Sequence, residues 1–447
     1  MTRSIDDNVT SYLLHFEQFE AKLNGGSRET VHGLRKNAIE QFSKNGFPTT
    51  KMEEWRFTNM APVRNTGFLP AFSTEARSVR IEDVEKHSMG RSDVCRLVFV
   101  NGLFQVALSS PVQNAGGMYA GSLAAASPVE REVIGRNLGS LAGTERSPFT
   151  ALNTAFLYDG AYIRVGDGID VTTPIHLLFF ASTDERMFVA HPRNLIVVGK
   201  GSRLSIIESY VGLQSTPYFT NVVTEMFVGE GSNVEHDKLQ TEYAGAYHVG
   251  SAYIRLDARS SMTSNSISLG ASIVRNEIHA LLGGEHAECT LNGLSLATGT
   301  QLVDNHTAID HAVPDCSSHE LYKSILDGKS HGVFNGKIFV RKDAQKTDAK
   351  QTNKTLLLSD EATIDTKPQL EIFADDVKCT HGATVGQLDE DQVFYLRARG
   401  IGLEEARDML TFAFARDVVN RIHVDDLRTR LEEMIRTRLN RGRLSGE

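Results

Sequence analysis

Cysteine is scarce in this 447-residue chain: Cys95, Cys289, Cys316 and Cys379 are all there are, and they lie far apart. That spacing excludes a disulfide framework and predicts free thiols in a reducing compartment. Long hydrophobic runs are missing as well. No stretch approaches the roughly 20 apolar residues that a membrane-spanning helix needs, and the opening MTRSIDDNVT lacks the basic and apolar parts of a secretory signal. A cytoplasmic protein with no membrane partner is expected. Basic blocks are absent until the tail RTRLNRGR at 436–443, and the formal net charge is -9, so no nucleic-acid footprint is expected. The tail reads as a solvated helix end, its cations favoured near the negative pole of the helix dipole. Catalytic signatures are missing too: there is no GxxxxGKS/T phosphate loop, no GxGxxG after a strand, no GxSxG elbow and no HExxH. Any nucleotide turnover in which the protein takes part should therefore belong to a partner.

What is present has the composition of an ordinary globular protein, 40% hydrophobic and 23% charged, in a chain long enough for more than one domain. Residues 1–100 are read as an N-terminal helical region. Leu13, Phe16 and Phe19 can share a helix face; Ser27 looks like the N-cap of a second helix through Val31, Leu34, Ala38 and Phe42, stopped by Gly46 and Pro48. The single tryptophan, Trp55, reads as an anchor docking these helices onto the rest. Residues 101–388 are read as a core domain. From roughly 150 to 385, short β-branched runs are broken by polar turns, and aligning four of them by the apolar residue after the turn gives Leu204, Val234, Met262 and Cys289, separated by 30, 28 and 27 residues. A step of this size marks a repeat architecture. Each unit supplies strands without an amphipathic helix, which favours a parallel β-helix over helical solenoids, with a β-sandwich as the alternative. Residues 389–447 are read as a C-terminal helical domain. Asp389 and Gln392 have capping-box spacing; a helix from near Leu403 is apolar on more than one side, through Ala406, Leu410 and Ala413 and also Met409, Phe412 and Phe414; a last helix carries Leu427, Leu431, Met434 and Ile435 on one face.

Two segments hold candidate ligands. In DDVKCTHGAT, residues 375–384, Cys379 and His381 stand at i and i+2, which in a strand puts both on one face about 6.6 Å apart along the chain. Both suit iron or zinc, yet two side chains leave a four-coordinate metal half filled, so the remaining ligands would come from elsewhere, most naturally another subunit. A buried thiol beside a hydrogen-bonded histidine is the plainer reading. In DNHTAIDHAVPDCSSHE, residues 304–320, His306, His311, Cys316 and His319 suggest a stable zinc site, but their spacing matches no standard one and Pro314 interrupts it; surface and turn hydrogen bonding is favoured.

These segments, with the block 333–401 that contains DDVKCTHGAT and RARGI and the stretch GFPTTKMEEWRFTNM at 46–60, resemble the SufB/SufD family of iron-sulfur cluster assembly proteins, the D-type branch in particular. The resemblance implies a right-handed parallel β-helix core flanked by N-terminal and C-terminal helical regions. It implies a non-catalytic scaffold that pairs with a SufB-type paralogue and binds a SufC-type ATPase, with a homodimer possible when alone. No tightly bound cofactor is implied, only a transient iron-sulfur cluster at the interface with the SufB-type subunit. Carried over by motif, the cluster ligands are Cys379 and His381, with the thiolate rather than the thiol binding. The ATPase-contacting surface maps onto Tyr395, Arg397, Arg399, Gly400, Ile401, Glu404, Ala406, Arg407, Met409 and Leu410. Position 380 is Thr where many members have Ser. The other readings are a β-helix lyase or acyltransferase, against which the missing signal sequence and missing six-residue repeat count, and a stable zinc protein built on His306, His311 and Cys316.

Overall fold

A computed structural model of the chain describes residues 7–23, 29–73, 79–89, 94–110, 113–145, 147–183 and 186–441. Its centre is a parallel β-solenoid of about eight turns, each turn giving one strand to each of two sheets. On one sheet the successive strands are Arg203–Gly212, Asn233–Thr241, Ser261–Ser268, Glu288–Ala297, Ser317–Leu326, Asp348–Leu357 and Lys378–Gly386. Leu204 pairs with Val234, Val234 with Met262, and Met262 with Cys289, all in parallel register. The residues aligned from sequence are thus one column of inward side chains, and the sandwich alternative, whose sheets are antiparallel, does not apply. The same column runs on through Ser318 and Ala349 to Cys379.

Each rung is buried for a simple reason. Side chains alternate across a strand, so one in two points inward, and a single turn cannot cover its own inward set. Leu204, Val234, Met262 and Cys289 are all nearly inaccessible and join the opposite sheet's Val222, Met226 and Ile254 in one core. The chain enters the first six of these strands through a left-handed residue two positions ahead: Gly201, Gly231, Arg259, His286, Asp315 and Lys346 all have φ between 55° and 69°.

Helices α1 (Asp7–Lys22), α2 (Glu29–Asn45), α3 (Ala61–Asn65), α4 (Ile81–His87), α5 (Pro128–Asn137) and α6 (Pro148–Ala155) precede the regular turns. Phe16 and Phe19 of α1 are buried and Leu13 is half-buried; Ala38 and Phe42 of α2 are buried, and α2 stops where Gly46 (φ 62°) donates its N–H to the Phe42 carbonyl at 2.8 Å. Ser27, read as the cap, lies outside the described residues. Trp55 does anchor this layer: it is 4% exposed and packs on Phe149 of α6, which in turn meets Phe219 on the solenoid wall.

After the last strand come α7 (Glu390–Arg397), α8 (Leu403–Val419) and α9 (Asp425–Arg441). Asp389 caps α7 by accepting the N–H groups of Asp391 and Gln392 at 2.9 and 3.3 Å. Phe412, Ala415 and Val419 of α8, with Leu427, Leu431 and Ile435 of α9, cover the outward side of the first-named sheet at Ile207, Leu239, Ile267 and Leu294. The two solenoid ends differ. The first is closed by antiparallel pairs, Leu103–Phe104 against Cys95–Val100 and Met118–Ser122 against Ala161–Val165. At the other, Thr363–Ile372 and Lys378–Gly386 end their sheets, and among the described residues no strand follows.

Candidate functional site

Cys379 and His381 stand on that last strand. Cys379 pairs in register with buried Ala349 and His381 with buried Gln351. Paired residues of a parallel ladder project to the same side, so both side chains point over the mouth of the solenoid, with no rung above them among the described residues. Cys379 is half-buried beside Ala349 and Ala374, whereas His381 is exposed. Partial burial raises the Cys379 thiol above its ordinary value, Asp348 adds to this, and the Ala349 N–H opposes it. The sulfur is therefore a protonated thiol at neutral pH. Beneath His381, Gln351 donates from Nε2 to Oε2 of Glu320 at 2.6 Å, and Glu320 is the next rung down. Burial pushes the Glu320 carboxyl up to about 7.

The second segment does not converge. His306 faces outward on the other sheet and joins an ion network that holds the N-terminal layer: its Nε2 meets Asp304 at 3.0 Å, and Asp304 takes Nη1 of Arg275 at 2.6 Å and the Thr58 hydroxyl. Arg275 lies 3.9 Å from the centre of the Trp55 ring and donates to the Glu54 carbonyl at 2.8 Å. Burial alone would raise the Asp304 carboxyl, but Arg275 and His306 outweigh it and hold it well below the carboxylate range. His311 points inward to the Ser318 hydroxyl at 2.9 Å and is neutral, burial pushing it down to about 4; Cys316 is buried against the Gly284 carbonyl at 3.3 Å; His319 is exposed. The zinc reading is corrected accordingly: His306 and His311 face opposite sides of one sheet, and among the described residues no group of three His, Cys, Asp or Glu can hold a metal ion.

The helical surface is more mixed than the motif implied. Tyr395 and Met409 are exposed, at 56% and 47%, and Arg397, Arg399, Gly400, Glu404 and Arg407 are exposed with them. The Arg399 guanidinium lies 3.5 Å over the Tyr395 ring, and Arg407 pairs with Glu404 at 3.3 Å. Ile401 and Leu410 are half-buried, and Ala406 is fully buried in the helix packing. Phe394, 72% exposed beside Tyr395, and Leu403 belong to this surface. At the mouth, Ile372, Phe373 and Val385 are exposed apolar residues that motif reasoning passed over. Extending the 27-to-31-residue step beyond Cys289 leads to Cys379 and could have located that rim.

Two family models match the chain: the SufBD protein N-terminal region over residues 6–177, and the SufBD core domain of SUF-system FeS cluster assembly over 179–414. An iron-sulfur cluster assembly SufBD family protein of Synechocystis is 32% identical over 94% of this chain and 93% of its own length. The iron-sulfur cluster assembly protein SufD of Escherichia coli is 30% identical over 90% and 92%. The chloroplastic protein ABCI7 of Arabidopsis thaliana is 30% identical over 88% and 83%.

Proposed function

The chain belongs to the SufBD family of iron-sulfur cluster assembly proteins, and from that premise we propose that it is a non-catalytic, SufD-type scaffold of a cytoplasmic assembly complex. Its open solenoid end pairs with a SufB-type paralogue, or with a second copy when it is alone. Its α7–α8 surface, where Phe394, Tyr395, Leu403 and Met409 are exposed, receives a SufC-type ATPase that supplies the nucleotide turnover.

The observation that carries this reading is a thiol and an imidazole side by side on the final strand, above which the described residues add no further rung. The nascent cluster is cargo. Cys379 loses its proton and binds iron through Sγ, His381 binds through a ring nitrogen, and the docked subunit supplies the remaining ligands. A set completed within one chain would hold its metal too firmly for transfer; a set split across an interface is undone when the interface moves.

The test is reconstitution of the complex with the paralogue and the ATPase, followed by cluster yield from visible absorbance and from iron and sulfide content. Cys379→Ser and His381→Ala, both at a half-buried or exposed position, should each lower the yield severalfold without lowering the melting temperature or the recovery of the complex. Normal yield from both variants would discard the site.

A further inference from the structure

The inward column below His381 carries two polar side chains on the rungs directly beneath it. Glu320, Gln351 and His381 occupy successive rungs in register, and the first two are 3% and 2% exposed. Gln351 reaches across the lumen to Gly336 on the opposite sheet, where a Cβ would come within 2.2 Å of Nε2. A side chain at 336 would push the end of that carboxamide aside, so the glycine lets it lie against the opposite wall. With Nε2 donating to Glu320 at 2.6 Å, the other end of the amide, Oε1, is buried and has no partner. A buried acceptor without a donor is costly, and the next rung above it is an imidazole.

We propose that Gln351, oriented by Glu320 and accommodated by Gly336, is a positioning residue for His381. Its free carbonyl oxygen accepts one ring N–H of the neutral imidazole and so leaves the other ring nitrogen unprotonated and turned toward the mouth. A histidine ligand whose second nitrogen is tied to an acceptor has a fixed tautomer and ring orientation and a more basic donor atom. While Oε2 of Glu320 accepts from Nε2, the amide oxygen is the end left over for His381.

This inference rests on the reading of His381 as a cluster ligand, and its test separates the two. In the full chain labelled with 15N at histidine, with His381→Ala identifying the signal, the His381 ring should occupy one tautomer predominantly. Gln351→Leu, or Glu320→Leu, which frees the carboxamide to turn over, should give a mixture of tautomers. In the reconstituted complex the same variants should lower cluster yield severalfold, and Gln351→Glu, which retains an acceptor, should restore part of it. A His381 tautomer unchanged in both leucine variants, with melting temperatures near that of the unaltered chain, overturns the positioning role even if His381→Ala abolishes cluster yield. A shifted tautomer with normal yield from His381→Ala upholds the geometry and removes the ligand reading instead.

Discussion

Glu320 is a carboxyl that folding makes harder to ionise. It is fully buried, and desolvation raises it from 4.5 to about 7 although Gln351 donates to it. A group raised on folding contributes stability that is complete below its unfolded value and is lost as pH climbs through its folded value, because between the two the native state holds a proton that the unfolded chain has released. The window here runs from about pH 4.5 to about pH 7, and at roughly 1.4 kcal/mol per pH unit the loss is on the order of 3 kcal/mol. Glu320→Gln keeps the shape and cannot ionise. Compared with the unaltered chain, it should be nearly neutral at pH 5 and more stable at pH 8 by about 3 kcal/mol. Urea unfolding at the two pH values measures this. Other buried acids such as Asp237, raised to about 6, slope equally in both proteins and cancel in the difference. An equal gap between the two proteins at pH 5 and pH 8 would mean that Glu320 ionises as it does in water.

At the scale of the element, the solenoid is built from a turn that repeats and a strand that follows it. Gly201 and Gly231 occupy the left-handed position of that turn, and for both the space where a side chain would stand is open. A substitution there tests backbone conformation alone. Gly231→Val should cost about 1–2 kcal/mol, the penalty of a left-handed β-branched residue, and Gly231→Asn less than half of that, since asparagine tolerates the conformation. Equal losses by equilibrium urea unfolding would point to contacts rather than φ. The turn also shows what could and could not be read from the chain. Leu204, Val234, Met262 and Cys289 revealed the repeat because each is an apolar rung in one column. The alignment faded at Ser318 and Ala349, where the rungs turn polar or small, so Cys379 was visible as a neighbour of His381 but not as the last rung. Arg259, His286, Asp315 and Lys346 take the left-handed position without the glycine that advertises it. His306 was read beside Cys316 because they are close in sequence, whereas its partners Glu54 and Arg275 come from distant segments and leave no local pattern.

For the whole molecule, the asymmetry between its two ends decides where another chain can add. The first end is shut by antiparallel hairpins, while the last strands of both sheets leave their outer edges unpaired among the described residues. Such an edge is a template for a further strand, and the rim around it exposes three large apolar side chains among polar ones: Phe373 is 58% exposed, Val385 46% and Ile372 36%. Val385 projects from the same strand and the same side as Cys379 and His381, so a chain seated on the rim also reaches the two candidate ligands. Val385→Asp places a charge that the free chain can solvate but a docked one must bury or displace. The free protein should then melt within about 0.5 kcal/mol of the unaltered chain, as surface substitutions do. The proposed association with a SufB-type paralogue, or with a second copy, should weaken at least about tenfold, since an unpaired buried charge costs well over 1.4 kcal/mol. Sedimentation velocity across a concentration series measures both. Val129→Asp on α5, 73% exposed and remote from the rim, is the control. Equal weakening by the two substitutions would trace the effect to net charge, and no weakening by Val385→Asp would move the interface away from the open end.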